Sequence, residues 1–273
     1  MTDRVSAPQW LADSAAKFYD SGAEPVVPKL AATVILLRPS PSPSPGDGFE
    51  VYAMRRVASM AFAPKMYVFP GGTVDPSDSQ TFIDWAGPAP AEWASRLALP
   101  VGPAQAVVCA AVRELFEEAG VLLAGDAPER VVGDLSDERW ETARTELLDR
   151  TRSLTGWFSE SGLTLRADLL VPWARWLTPE FEPRRYDTFF FLARLPSDQL
   201  PRDVGGEADH RVWLTPAEAT QLPMLPPTLY TLRELAGYRD VDAVIEAAAG
   251  RDVSAPVRPV LEVDPDGAWL KLG

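Results

Sequence analysis

The 273-residue sequence has very little of the residue types on which several common chemistries depend. It contains one cysteine and one histidine, which excludes an internal disulfide framework, a cysteine-based zinc cluster and a site built on several imidazoles. It also contains only 26 basic residues against 39 acidic ones, so the formal net charge is −13. Binding of nucleic acid requires a positive surface, which argues against nucleic acid as a partner. Chemistry in this chain must therefore rest mainly on carboxylates.

Long hydrophobic runs are missing as well. No stretch approaches the roughly 20 apolar residues that a membrane helix requires, and we therefore expect no membrane partner. The first residues lack the apolar run of a secretory signal, and the last five match neither a peroxisomal address nor a prenylation box. Elimination predicts a cytoplasmic location. At 46% hydrophobic and 24% charged residues, the composition is that of a globular protein with a sizeable core.

The alternation of strand and helix patterns predicts an α/β layered domain with helical insertions. Residues 1–28 read as a lead-in with a helix around Trp10 to Tyr19, residues 29–250 as the domain, and 251–273 as a C-terminal tail. Insertions are expected at about 79–103 and 125–161. The predicted strands are Ala31 to Arg38, Phe49 to Arg55, Met66 to Phe69, Val121 to Leu123, Leu169 to Leu177, Thr188 to Leu195 and His210 to Leu214. The predicted helices lie near Trp93 and Leu97 and over Gln105 to Ala119, Ser136 to Leu148, Thr151 to Ser161, Pro216 to Leu222, Pro227 to Ala236 and Val241 to Ala249.

One of these helices carries a concentration of acid. Glu114, Glu117 and Glu118 are spaced three and four residues apart, so they share one face of the helix over Gln105 to Ala119. Their charges repel one another and the negative end of the helix dipole, and a divalent cation with oxygen ligands would offset both effects. Taken alone, this spacing also fits a solvated acidic surface. The predicted tight turn Phe69-Pro70-Gly71-Gly72 favours a site, because a glycine backbone can approach a ligand or metal closely.

The segment Arg113-Glu114-Leu115-Phe116-Glu117-Glu118-Ala119-Gly120-Val121 resembles the second half of the Nudix box. The first half of the box is a glycine, five residues and a glutamate. Here Gly72 supplies the glycine and Asp78 stands in place of the glutamate, and residues 79–103 are inserted before Arg113. Both departures are similar to the Nudix motif 19 branch of coenzyme A and acyl-coenzyme A diphosphatases, whose box is also split by an insertion. The similarity covers about Leu30 to Leu235 and includes Tyr67 to Gly72, Trp176 to Pro179, Arg184 to Thr188, Trp213 to Pro216 and Pro226-Pro227.

The resemblance implies a Nudix-type α/β/α sandwich with a mixed sheet, which hydrolyses a phosphoanhydride bond with Mg²⁺ or Mn²⁺. It implies that Glu117 and Glu118 bind the metal, with Glu114 as a further ligand or base and Arg113 as an ion-pair partner that fixes a glutamate rotamer. A carbonyl of Gly71 or Gly72 would be a backbone ligand. Glu207 is the candidate for a completing carboxylate outside the box, against the alternative of an ordinary surface residue.

The substrate of such a site would be a small nucleoside diphosphate derivative. Positive charge for its phosphates is expected from Arg55, Arg56, Lys65, Arg184 and Arg185, because arginine pairs suit bidentate phosphate recognition. Surface ion pairing is the alternative for at least one arginine of each pair. Coenzyme A or its thioesters are the first candidate substrates, and ADP-ribose, NADH or a dinucleoside polyphosphate the second. The third hypothesis is a catalytically silent protein that binds a nucleotide as a sensor. The sequence is also compatible with a homodimer.

Overall fold

The computed structural model describes residues 4–7, 9–41, 48–59, 63–79, 83–202, 208–264 and 267–272. Its strands are β1 (Arg4–Ser6), β2 (Lys29–Pro39), β3 (Phe49–Arg56), β4 (Tyr67–Val68), β5 (Gly71–Thr73), β6 (Asp84–Ala86), β7 (Ala124–Gly125), β8 (Thr164–Arg166), β9 (Leu170–Leu177), β10 (Tyr186–Arg194), β11 (Ala208–Leu214), β12 (Pro259–Asp264) and β13 (Gly267–Leu272). Its helices are α1 (Gln9–Ser21), α2 (Pro90–Leu97), α3 (Val101–Ala119), α4 (Glu138–Leu148), α5 (Leu154–Ser161), α6 (Pro216–Ala219), α7 (Pro226–Leu235) and α8 (Val241–Ala249).

The centre of the fold is a seven-stranded sheet in the order β11-β3-β2-β10-β9, with β4 paired to β3 and β5 paired to β2. Strands β2 and β10 run parallel, whereas the other pairings of this sheet are antiparallel. The prediction of a mixed sheet is therefore confirmed. Strand β2 lies in the middle, which explains its almost uninterrupted apolar run.

Helices cover both faces of this sheet. Successive residues of a strand point to opposite faces, so Val34 and Leu36 of β2 join a core with α2, α3, α4 and α5. Ile35 and Leu37 join a second core with α6, α7 and α8 on the other face. This arrangement confirms the predicted α/β/α sandwich. Helix α3, which carries the box, is thus held between the central sheet and the helices of the predicted insertions.

The two ends of the described chain meet in a separate three-stranded sheet of order β1-β13-β12. Val5 is paired with Leu270, and α1 packs on this sheet around Leu11, Ala15 and Phe181. The sequence predicts a lead-in over residues 1–28 and a tail over 251–273, and it does not predict that strands from the two segments pair. Short strands at opposite ends of a sequence give no local signal that they pair.

Several predicted boundaries change for identifiable reasons. Helix α3 begins at Val101, four residues before the predicted start, because Pro103 falls in the first turn, where a missing N–H costs nothing. Helix α4 is capped by Asp137 rather than Ser136, since the Asp137 carboxylate accepts from the Arg139 N–H. Gly71 and Gly72 are not part of a tight turn but pair with β2 as strand β5.

Further corrections concern shorter segments. The helices predicted from Thr151 and over Pro216 to Leu222 are shorter and span α5 and α6. The strand predicted over Val121 to Leu123 does not form, and β7 begins only at Ala124. The backbone of Leu122 is bonded by a side chain instead of a neighbouring strand. Gln199 accepts from the Leu122 N–H and donates to the Leu122 carbonyl. Strands β6 and β8, which complete a small sheet with β7, had no counterpart in the prediction.

No single helix in the ranges described is long and apolar enough to cross a membrane. Helices α2 and α3 reach the required length and composition only as a pair, and they are bent by 93° relative to each other.

Candidate active site

The centre of the candidate site is the buried guanidinium group of Arg113 on α3. Its Nε donates to Asp78 Oδ1 at 3.0 Å, and its Nη2 donates to Asp78 Oδ2 at 2.9 Å. Nη2 also donates to the carbonyl of Thr73 at the end of β5, at 3.0 Å. Asp78 lies in a short 3₁₀ turn, and its side chain is fully buried. The two parallel hydrogen bonds to Asp78 and the bond to Thr73 fix the guanidinium plane against strand β5.

The third nitrogen of the same guanidinium group holds two glutamates of the box. Nη1 of Arg113 donates to Glu114 Oε1 at 2.8 Å and lies 3.3 Å from both carboxylate oxygens of Glu117. Glu114 and Glu117 are themselves buried, at 9% and 7% exposed. Arg113 therefore fixes the conformation of both carboxylates, the ion-pair role that the resemblance implied for it.

The glycines of β5 lie directly against the acidic face of α3. A Cβ atom at Gly72 would stand 2.4 Å from Glu114 Oε1, so any other residue at this position would displace the carboxylate. The N–H of Gly71 donates to Glu118 Oε2 at 2.7 Å. The absence of a side chain at Gly72 thus lets β5 lie close to the Glu114 carboxylate, and its absence at Gly71 lets β5 lie against Ala32 and Thr33 of β2.

The electrostatics of the site are unbalanced toward negative charge. Burial raises the pKa of Glu117 to about 7, and the neighbouring charges of Glu114 and Asp78 act in the same direction, against the opposing effect of Arg113. Burial disfavours the charge of Arg113, but Asp78 and the two glutamates outweigh it and raise the pKa of the guanidinium group. One arginine is shared among three carboxylates, so the site has a surplus of negative charge that a cation would neutralise.

The oxygen donors of the site are of the type that binds a divalent metal, although the side chains are not oriented to coordinate one. Within the chain as described, no three His, Cys, Asp or Glu side chains are gathered in a geometry that holds an ion. Carboxylate oxygens from one helix and peptide carbonyls from a glycine strand are the hard donors that Mg²⁺ and Mn²⁺ take. Glu118, now bonded to the Gly71 N–H, and Glu117, now shared with Arg113, would have to turn toward an ion. The metal-ligand assignment stays a prediction.

A cavity of about 170 Å³ opens beside Glu117 and Arg113. Its opposite wall is the turn between α4 and α5, including Arg150 and Arg152. Nη1 of Arg150 donates to Asp75 Oδ2 at 2.8 Å, which links this turn to the loop that follows β5. Sequence reasoning missed both arginines, because they lie in an insertion outside the box and belong to no recognisable motif.

Two contacts fasten the insertion to the box helix. Arg144 of α4 is buried, and its Nη1 donates to the carbonyl of Glu117 at 3.0 Å. The ring of Trp157 on α5 stacks on that of Phe116, with centroids 5.3 Å apart and an angle of 18° between the planes. The α4–α5 turn is therefore a fixed wall of the site.

The cations predicted to bind phosphate lie away from the cavity beside Glu117. Arg55 on β3 pairs with Asp209 at 2.7 Å, Arg56 follows it, and Lys65 is exposed in the loop before β4. Arg184 is exposed, whereas Arg185 donates to the carbonyls of Thr178 and Val26. None of these five lines the cavity beside Glu117. Glu207, the candidate completing carboxylate, lies outside the described residues. The substrate-binding roles of these residues stay predictions.

The fold is similar to that of a solved protein structure. A crystal structure of a Nudix hydrolase from Alicyclobacillus acidocaldarius superposes with a TM-score of 0.66 over 85% of this chain and 99% of its own, at 27% identity. The fold and the carboxylate helix are thus those of a Nudix hydrolase.

The particular family follows from the sequence of the domain. The NUDT19 Nudix domain family matches residues 89–235, which is more than half of the chain, and the chain belongs to that family. Among named relatives, the human acyl-coenzyme A diphosphatase NUDT19 is 28% identical over 84% of this chain and 72% of its own length. The Gallus gallus protein of the same name is 26% identical over 87% of this chain and 76% of its own length.

Proposed function

We propose that this chain is a divalent-metal-dependent diphosphatase that hydrolyses the phosphoanhydride bond of coenzyme A or an acyl-coenzyme A, giving two phosphomonoesters. The relatives described as acyl-coenzyme A diphosphatases support the substrate class. The observation that carries the proposal is the buried network in which Arg113 holds Asp78, Glu114 and Glu117 together. Such a costly concentration of buried charge is typical of an active site.

Glu114, Glu117 and Glu118, with a carbonyl of Gly71 or Gly72, are the residues that would hold Mg²⁺ or Mn²⁺. A divalent ion bound there would lower the pKa of a water molecule and neutralise phosphate oxygens. The absence of a side chain at Gly72 leaves room for the Glu114 carboxylate beside β5.

Proton transfer, phosphate binding and the positioning of the carboxylates are assigned to side chains of the protein. As the alternative to holding the ion, Glu114, whose Oε1 accepts from Arg113 Nη1 at 2.8 Å, would accept the proton of an attacking water molecule. Arg150 and Arg152 bring positive charge to the wall opposite the carboxylates, where a diphosphate would need it. Arg113 is a positioning residue, because all its donors are used by protein acceptors.

A substrate panel in Mg²⁺ or Mn²⁺ tests this proposal. We expect hydrolysis of coenzyme A and an acyl-coenzyme A to exceed that of ADP-ribose, NADH and a diadenosine polyphosphate. Coenzyme A that stays intact while ADP-ribose is cleaved would assign the chain to the alternative substrates. Nucleotide binding in a calorimeter without turnover in either metal would support the silent sensor.

Variants in the carboxylate helix test the site itself. The double change Glu117→Gln and Glu118→Gln should abolish hydrolysis in every metal while the circular dichroism spectrum stays unchanged. Glu92→Gln is the matched control, since Glu92 is an exposed glutamate on α2 that pairs only with Arg96 among the contacts described. Retained activity in the double variant would contradict the assignment of the site.

A further inference from the structure

A second, larger cleft lies beside the candidate active site. Its volume is about 880 Å³, and its walls are α4, α5 and the segment 126–133 that follows β7. The lining is mixed: Val132, Leu163 and Trp157 contribute hydrophobic surface, whereas charges of both signs come from Asp126, Arg130, Arg139 and Glu146. A volume of this order accommodates a ligand of the size of a drug or a cofactor arm.

One side chain belongs to both cavities. Arg152 lines the small cavity beside Glu117 and also the large cleft. It forms ion pairs with Glu146 on α4 and Glu160 on α5, and its side chain keeps 29% of its surface exposed. Arg152 therefore stands between the carboxylate end of the site and the cleft, and a molecule that extends from one to the other would pass along it.

The segment that presents Arg152 is built as a rigid turn. The carbonyl of Glu146 accepts from the N–H groups of both Thr151 and Arg152, at 3.0 and 3.2 Å. Arg150 adopts a left-handed conformation with φ of 56°, which is costly for a residue with a side chain. Backbone strain of this kind persists only where the surrounding structure enforces it. The wall between the two cavities is thus set in place before any ligand arrives.

We propose that the large cleft between α4 and α5 binds the acyl-pantetheine arm of the substrate, while the small cavity takes the diphosphate and Arg152 marks the boundary between them. The inference rests on the proposed function and extends it to the region that determines specificity. An acyl-pantetheine arm alternates amide groups with apolar segments. A cleft lined by hydrophobic side chains and by charged groups of both signs offers apolar contacts and hydrogen-bond partners for the amides. A nucleotide base at this position is the competing occupant.

A residue on the rim of the cleft allows the inference to be tested without disturbing the core. Thr142 is exposed on α4 and lines the cleft. Thr142→Trp would fill part of the cleft, and we expect the KM for decanoyl-coenzyme A to rise about tenfold, which corresponds to about 1.4 kcal/mol, with kcat changed less. Thr145→Trp is the matched control, since Thr145 is exposed on the same helix but lines neither cavity.

Ligands that represent each half of the substrate separate the possible occupants. Adenosine 3′,5′-bisphosphate lacks the arm, so its inhibition constant should stay within about twofold in Thr142→Trp. Decanoyl-pantetheine lacks the phosphates and should bind the wild-type chain in a calorimeter and not bind Thr142→Trp. If the inhibition constant of adenosine 3′,5′-bisphosphate rises instead, the cleft holds the nucleotide and the inference is wrong.

Two further outcomes keep the inference distinct from the proposed function. Hydrolysis of decanoyl-coenzyme A with the same KM in both tryptophan variants would overturn the cleft assignment and leave the proposed function standing. Failure of the wild-type chain to hydrolyse any coenzyme A derivative would refute the proposed function and, with it, the inference.

Discussion

Asp78 and Arg113, 35 positions apart in the sequence, form a fully buried ion pair joined by two parallel hydrogen bonds of 3.0 and 2.9 Å. Asp78 stands where the Nudix box has a glutamate, and the pairing gives this position a structural purpose in the chain. The 3₁₀ turn over Pro76–Ser79 carries the shorter aspartate side chain to the guanidinium group. The segment inserted between the two residues leaves the pair intact, because it loops out as β6 and α2.

The first prediction concerns this pair. Asp78→Asn removes the negative charge and turns a donor toward Arg113, which leaves the buried guanidinium group with Glu114 and Glu117 as its anionic partners and with a repulsive contact at position 78. We expect the free energy of unfolding to fall by about 3 kcal/mol. We also expect kcat to fall at least about tenfold, since Arg113 positions Glu114 and Glu117. Urea unfolding and steady-state kinetics measure the two effects.

The control for this change is Asp84→Asn, in which an exposed aspartate of β6 loses the same charge. It should alter neither stability nor kcat appreciably. Equal behaviour of the two variants would show that the buried pair does not hold the site together.

The second prediction concerns the contact between Gly72 and Glu114. Gly72→Ala would place a methyl group 2.4 Å from Glu114 Oε1 and push the carboxylate out of position. A displacement of about 1 Å at a catalytic group costs on the order of a hundredfold in rate, and we expect kcat to fall by that factor. Gly102→Ala is the matched control, because no atom lies within 4 Å of the added methyl group.

The control should also gain stability. Gly102 lies in the first turn of α3, and alanine in a helix is about 0.5–1 kcal/mol more favourable than glycine. Full activity in Gly72→Ala would mean that catalysis does not need Glu114 at its observed position.

The parts of the site that the sequence could predict are those set by local spacing. The i, i+3 and i+4 pattern of Glu114, Glu117 and Glu118 needs only a helix, and Gly120 ends that helix with φ of 66° as expected. The apolar run of β2 likewise predicts a buried central strand. These features depend on residues close together in the chain, where periodicity is informative.

The parts that could not be predicted depend on docking between distant segments. Arg150 and Arg152 reach Glu117 only because Arg144 and Trp157 fasten the insertion to α3. No periodic pattern encodes which face of an inserted helix meets the box helix. The pairing of β1 with β13 could not be predicted for the same reason, since the two strands lie at opposite ends of the sequence.

The third prediction is a pH dependence of stability in the metal-free protein. Burial raises the pKa of Glu117 to about 7 from a reference value of 4.5, so the folded chain binds a proton that the unfolded chain releases. Between these two values the unfolded state holds fewer protons, and stability therefore falls as the pH rises through this window. The full loss, on the order of 3 kcal/mol, is present above pH 7.

Glu117→Gln removes this group and so isolates its effect. The variant should match the wild-type Tm at pH 5 and exceed it at pH 8, in buffers that contain a chelator. Addition of Mg²⁺ at pH 8 should raise the Tm of the wild type and not that of the variant. A variant less stable than the wild type at pH 8 would show that the ion pair with Arg113 outweighs the burial of the charge.

The last prediction concerns Gln199, whose side chain is 2% exposed and stands in for a missing strand. Its Oε1 accepts from the Leu122 N–H at 2.9 Å, and its Nε2 donates to the carbonyls of Leu122 and Val132 at 2.9 and 2.7 Å. Gln199→Leu keeps the volume but removes the partner of two buried backbone groups of Leu122 and of the half-buried carbonyl of Val132. At about 1–3 kcal/mol for each unsatisfied group, partly relieved by water, we expect a loss of about 3 kcal/mol in urea unfolding.

Gln199→Leu should also increase local opening of the backbone around Leu122. Hydrogen exchange at the Leu122 amide should accelerate in Gln199→Leu under native conditions, since its only described acceptor is lost. Gln221→Leu, at an exposed glutamine whose side chain contacts Thr220, is the matched control and should change neither quantity. Because segment 121–123 follows directly from the box helix, unchanged exchange at Leu122 would mean that something other than Gln199 holds the end of that helix in place.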